Sequence, residues 1–484
     1  MREYSPRRRT ALVLTGSGTT GAYHAGALKA LDESGVKIDL VVGSGIGVLA
    51  AAFAAIAGGP KLSGADGFWK GVRWGSFYRL RPLVRSALAL LGVSFGIFAA
   101  PVVLGLLLGL LATLLLIVDR IVPGVAARAA SLLSVTPEAL SGPYLAAQAM
   151  PVFLLGLLAA VAISVLWLRD RRRFAEAFES FFDARPGLQR VRSALWQVVG
   201  AAAARAAAVG EAEMGRRYAA QLTDNLGQPG FRELVLRTAD LDRGGPLSFV
   251  LLKDGPPSGA ARGGTLAEVV DLRVAGQDAL LFDALATALL CPLAMPLRRV
   301  TFPRGCVHAG ETHRLTDATL LPGCGISEAV AAGAEQVIVV TGVPESRGPL
   351  ARRRGPLARV DAALRTLEVQ AARGIDETQR FNRLVSAQGR RGEDGRTGWQ
   401  DPASGRLFGE IDLWVIRPER RVLGPMELDG VRDPATEVLQ TTEDLVELGF
   451  RDAYRQFVEP VVGQSALPER AEGRYRDVTQ PVEL

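Results

Sequence analysis

Cysteine and histidine are both scarce in this chain, at three residues each in 484. Cys291, Cys306 and Cys324 have no metal-type spacing, and any bridging scheme leaves one unpaired, so the sequence excludes a disulfide framework and points to reduced thiols. Neither a metal site nor a cofactor is expected. A strong charge of one sign is missing too. The net charge of +6 at pH 7 is modest for this length, and no aromatic-interleaved basic patch or helix-turn-helix pattern accompanies it, so no nucleic-acid partner is expected. The run Arg7-Arg8-Arg9 lacks a following apolar region, so no cleavable signal peptide is read there. As a solvated basic tail or a lipid-headgroup contact, that run stays open. Two further absences carry more information: a missing hydroxyl at residue 45, and a stretch without charge at 86–118.

The missing hydroxyl lies in Val41-Val42-Gly43-Ser44-Gly45-Ile46-Gly47. A G-x-S-x-G elbow holds its serine on a sharp strand-to-helix turn, with the hydroxyl aimed at backbone N–H donors. Here the centre is Gly45, and the nearest hydroxyl, Ser44, comes one residue early. Before it, Ala11-Leu12-Val13-Leu14 reads as a buried strand, and Gly16-Ser17-Gly18-Thr19-Thr20-Gly21 opens a helix continuing through Leu31. Such a loop aims unpaired N–H groups and the positive end of a helix dipole at one point, which suits a phosphate or a developing oxyanion. A dinucleotide site would need an acidic residue at the end of the second strand, but Asp39 precedes Leu40-Val41-Val42.

Together the two loops resemble the patatin-like phospholipase family, which pairs a glycine-rich oxyanion loop, G-G-G-x-Arg/Lys-G, with a G-x-S-x-G elbow and a later D-G-G/A motif. In Leu315-Thr316-Asp317-Ala318-Thr319 the aspartate matches the family's catalytic acid, and Ile326-Ser327-Glu328-Ala329 and Gln336-Val337-Ile338-Val339-Val340 follow as helix and strand. The segment from Glu233 to Leu241 is similar to the family's central strand, and that from Phe282 to Ala288 to the helix before the acid. The resemblance spans most of the chain, with an interruption near 80–225. It implies ancestry in lipid acyl hydrolysis by a serine–aspartate pair through an acyl-enzyme.

The departures are specific. Gly45 stands at the serine position, Thr20 at the basic position of the oxyanion loop, Ser17 at its second glycine, and Ala318 and Thr319 after the acid. An acid without its nucleophile has nothing to activate, and Asp317 can equally serve as a turn residue capping nearby N–H groups. Glycine reaches the positive φ of an elbow without the Cβ penalty, so the scaffold survives losing the serine. A Ser-His-Asp triad drawn from His24, His308 or His313 is not implied by the resemblance.

Residues 86–118 carry no charge, and a second apolar run covers 146–168. About 33 helical residues span roughly 50 Å against a hydrocarbon core of about 30 Å, so the first run reads as one tilted helix or one kinked at Pro101. Lys70, Arg73, Arg79, Arg81 and Arg85 precede the first run and Arg169, Arg171, Arg172 and Arg173 follow the second, while the connection balances Arg120 and Arg128 against Asp119 and Glu138. The positive-inside rule then puts both ends in the cytoplasm.

The expected organisation is a patatin-like N-terminal part (1–80), a two-helix membrane insertion (81–175), a helical connection and patatin-like C-terminal part (176–463), and a polar tail (464–484). The fold class is α/β: a three-layer patatin-like sheet with helices on both faces, interrupted by an inserted transmembrane helical hairpin. The sequence favours a membrane-anchored, catalytically impaired member that binds membrane lipids, acyl groups or a protein partner at an inner, cytoplasmic membrane. Two alternatives stay open, an active hydrolase using Ser44 or another hydroxyl with Asp317, and a membrane scaffold.

Overall fold

The computed structural model describes residues 4–56, 58–64, 66–124, 150, 153, 156–157, 182–199, 210–256, 268–292, 295–345, 358–388, 390–391, 397–400, 407–421, 423–432 and 437–462. The chain divides into two compact units, one formed by Met1–Arg79 with Asp183–Leu484, the other by Leu80–Phe182.

The first unit is built on a sheet with nine strands among the described residues. These are β1 (Thr10–Gly16), β2 (Leu40–Gly45), β3 (Glu233–Asp240), β4 (Gly245–Leu251), β5 (Glu268–Asp271), β6 (Arg298–Thr301), β7 (Thr312–Asp317), β8 (Gln336–Thr341) and β9 (Asp412–Ile416). Their order is β9-β8-β1-β2-β3-β4-β5, with β7 joining β3 and β6 joining β7. From β9 through β3 all pairs are parallel; β4 and β7 run antiparallel to β3, and β6 to β7. Continuous apolar runs such as Ala11-Leu12-Val13-Leu14 suit strands covered on both faces. Ala11, Val13, Val42 and Val339 join one apolar cluster with Ile326, Ala329 and Ile375, while Leu12 and Leu14 alternate to the other side and are equally buried. Helices α1 (Thr20–Glu33) and α2 (Gly47–Ala55) follow β1 and β2 directly, and α1 packs on helix Thr442–Ala453. The register sets Gly16 beside Gly45, so the glycine loop and the elbow emerge side by side at the carboxyl ends of parallel strands. Open α/β sheets place their ligand crevices there.

The arginine run is a clamp rather than a tail at two of its positions: Arg8 pairs with Asp412 and Arg9 with Glu233. Arg390–Arg391 is a short strand in a three-stranded antiparallel sheet with Thr397–Gln400 and Leu407–Gly409. The 31-residue helix Ala358–Gln388 was not anticipated at all.

In the second unit the first apolar run forms one helix, Pro82–Ile121, that passes through Pro101 without ending. Its outer side chains include Phe95, Leu107 and Ile117, all exposed. The second run falls almost wholly outside the described residues, as does the polar tail at 464–484. Among the described residues no helix is long and apolar enough to cross a membrane, so the expected transmembrane hairpin finds no support in the fold.

Candidate active site

Gly45 ends β2 with φ of +64°. A Cβ built there would lie 2.2 Å from the Gly16 carbonyl oxygen and 3.0 Å from both Asp317 Oδ1 and Thr319 Oγ1. The acid therefore does reach the nucleophile position. A side chain at this position requires the Gly16 carbonyl, which accepts the Ile46 N–H at 2.8 Å, to shift.

Asp317 closes β7, and its buried Oδ1 accepts the Thr319 N–H at 2.7 Å and the Thr319 hydroxyl. Burial pushes its carboxyl up to about 7; the two Thr319 hydrogen bonds pull the other way, and the Glu368 charge adds to the rise. Burial likewise pushes the Tyr78 hydroxyl and the Cys291 thiol up, and both lie close enough to Asp317 for its charge to reinforce the effect. Thr319, a departure from the family pattern, thus supplies the hydroxyl partner that residue 45 lacks.

The glycine loop has its own occupants. Gly16 and Gly18 take φ of +143° and +53°, turning the chain sharply between β1 and α1. Ser17 donates its N–H at 2.7 Å and its hydroxyl at 2.8 Å to Glu368 Oε1, and Thr20 Oγ1 reaches the same oxygen at 3.4 Å. The other carboxylate oxygen pairs with Arg421. Thr19 donates its N–H to the Pro425 carbonyl at 3.0 Å and its hydroxyl to the Gly424 carbonyl at 2.8 Å. At Gly18 the approach is closer still, since a Cβ would fall 1.8 Å from the Pro425 oxygen. Donors that would cradle an external anion are engaged by a resident carboxylate, Glu368, and by the backbone at Gly424 and Pro425.

Ser44 is buried in β2, in register with Thr15 and Arg237, and shares a strand face with Val42 and Leu40. Among the described residues its hydroxyl makes no hydrogen bond to Asp317. The histidines form no triad with the acid. His24 lies buried in α1 with Nε2 3.2 Å from the Thr15 carbonyl, and burial lowers its pKa to about 4. His308 and His313 contact other carboxylates. The three cysteines are free.

Sequence reasoning missed Glu368, Arg421, Gly424, Pro425 and the partner role of Thr319. Only Thr319 lay within a motif under scrutiny; the others have no local signal.

Parallel sheet, glycine loop, elbow and adjoining acid meet at one edge of an α/β fold. Residues 12–197 match the family model for patatin-like phospholipase. The match contains the loop and elbow and stops before Asp317. Among solved structures, VipD from Legionella pneumophila is similar at 10% identity with a TM-score of 0.31, covering 93% of this chain and 67% of that one. No curated protein matches the chain.

Proposed function

We propose that this patatin-like protein is catalytically impaired and binds lipid, acyl groups or a protein partner instead of turning over esters. The observation that carries the reading is steric: a Cβ at position 45 would sit 2.2 Å from a backbone oxygen. The engaged donors of Ser17 and Thr19 support it, because an oxyanion hole works only when its N–H groups are free to meet developing charge. A fluorophosphonate probe should not label the protein, and phospholipid and short-chain ester hydrolysis should be negligible. Strong labelling of the native chain overturns the proposal. Loss of that labelling in Ser44→Ala or Thr319→Val then identifies the hydroxyl, and the Thr319–Asp317 hydrogen bond favours Thr319 in that second reading.

The proposal extends to location. Anchoring of the inserted unit in a cytoplasmic membrane, with the α/β unit on the cytoplasmic side, is supported by the basic residues flanking the two apolar runs and by the exposed Phe95, Leu107 and Ile117. Those exposed side chains also favour a scaffold role, in which the insertion is itself the working element. Alkaline carbonate should leave the protein in the membrane pellet; its release into the supernatant overturns integral anchoring.

A further inference from the structure

Away from the elbow, at the other end of the acid-bearing strand, three buried side chains converge. Asp240 ends β3, His313 is the second residue of β7, and His308 lies in the loop between β6 and β7. One ligand atom from each lies within 4.8 Å of the other two. We propose that Asp240, His308 and His313 form a site for a divalent transition metal of the zinc type, fastening the β6–β7 hairpin to the end of β3.

The donor set suits that class of ion. Imidazole nitrogens with one carboxylate select zinc and its neighbours over magnesium or calcium, which prefer all-oxygen shells. The polar groups around the rings fit as well. His313 Nδ1 is 2.5 Å from Asp240 Oδ2, and its Nε2 is 2.9 Å from Glu311 Oε2. His308 Nε2 is 2.7 Å from Glu268 Oε2. Each ring therefore has a carboxylate on the nitrogen that would face away from a metal bound through Nδ1. Carboxylate–histidine pairs of this kind fix the tautomer and orientation of metal-binding imidazoles. His308 Nδ1 also has Glu311 Oε2 at 3.8 Å and an Arg243 guanidinium nitrogen at 3.3 Å; that arginine pairs with Glu311 at 3.0 Å and is half exposed, so an entering ion must displace it toward solvent. Binding replaces the His313–Asp240 hydrogen bond by two metal–ligand bonds and leaves a fourth position of a tetrahedral ion for water.

This site is independent of the elbow, and its two histidines lack the close spacing with Asp240 that would mark it in the sequence. Asp240 ends β3, His313 lies on β7 and His308 in the loop before it, so no local motif announces the set.

The test uses the full-length purified protein, stripped with a chelator and titrated with zinc against a colorimetric indicator, then with cobalt(II) to read ligand-field absorption. One equivalent of zinc should bind, and zinc should raise the unfolding midpoint, as any ligand confined to the folded state does. His308→Ala and His313→Ala should weaken binding about a hundredfold or more and abolish the cobalt spectrum. Asp240→Asn, which retains a hydrogen bond to His313, keeps the fold and should weaken binding in the same direction. Cys306→Ser should leave binding unchanged. Failure of the native protein to bind zinc overturns the proposal, and so does stoichiometric binding that survives Asp240→Asn and both histidine substitutions or is lost in Cys306→Ser.

Discussion

The glycine loop and the acid motif are two halves of one hydrolase-like site, and each has been turned inward by a different device. At the loop a buried carboxylate, Glu368, meets an arginine and the Ser17 donors. At the acid a buried carboxylate, Asp317, is hydrogen-bonded at Oδ1 only by the neutral N–H and hydroxyl of Thr319. Only the loop carboxylate has a cation in contact. Burial pushes the Asp317 carboxyl up to about 7. The comparison teaches that two buried carboxylates are accommodated in different ways, one by a charge partner and one by neutral donors.

The largest expected effect breaks the paired half. Glu368→Ala strands the Arg421 guanidinium and the Ser17 donors in the interior and should destabilise the protein by about 3–5 kcal/mol in denaturant unfolding. A change below about 1 kcal/mol would mean the loop does not depend on its resident anion.

Gly45→Ser tests the wall between the two halves. Positive φ costs a serine about 1–3 kcal/mol and forced overpacking about 1–3 kcal/mol more, so a total near 3 kcal/mol is expected, with no gain of fluorophosphonate labelling. A stable variant that labels would show that the Gly16 carbonyl yields.

Asp317→Asn separates the unpaired half from the paired one by sign. The carboxyl's folded pKa is raised, so its contribution to stability is present at low pH and falls as pH climbs from about 4 through about 7, where the buried group must ionise. The amide has no such dependence. Above pH 7 the variant should be more stable than the parent by at most about 4 kcal/mol, the limit set by a rise from 3.8 to about 7, and near pH 4 the advantage should vanish. In a working hydrolase the same change destroys the catalytic acid, so equal or lower stability at pH 8 would count against an idle role.

The smallest effect sharpens the same contrast. Thr319→Val removes one donor from Asp317 and should cost about 1 kcal/mol while moving the carboxyl titration, followed by NMR, further upward. A titration that does not move would show that the hydroxyl is not the partner.

Much of this architecture could be read from local pattern. Apolar runs at Ala11 and Leu40 ending in glycines gave the strand–loop–helix units, and the acid motif led to a residue that does lie beside Gly45. What closes the site could not be read that way. Glu368 comes from the helix Ala358–Gln388 and Pro425 from a segment beyond it, and neither bears a motif. Their meaning arises only when the fold carries them hundreds of residues back to the loop. The metal-type cluster was hidden for the same reason, since Asp240 and His313 meet through strand pairing and not through spacing.

The carbonyl of Pro425 resting on the Thr19 N–H has a quantitative consequence for any molecule that uses this loop. Such a molecule binds only the fraction of chains in which the 424–425 backbone has lifted, and its apparent dissociation constant is the intrinsic one divided by that fraction. If one chain in about a hundred is open at equilibrium, a micromolar binder presents itself as roughly a hundred micromolar one. The exchange rate of the Thr19 amide with deuterated solvent reads the same fraction directly, so one backbone proton gauges how much affinity the closed loop withholds.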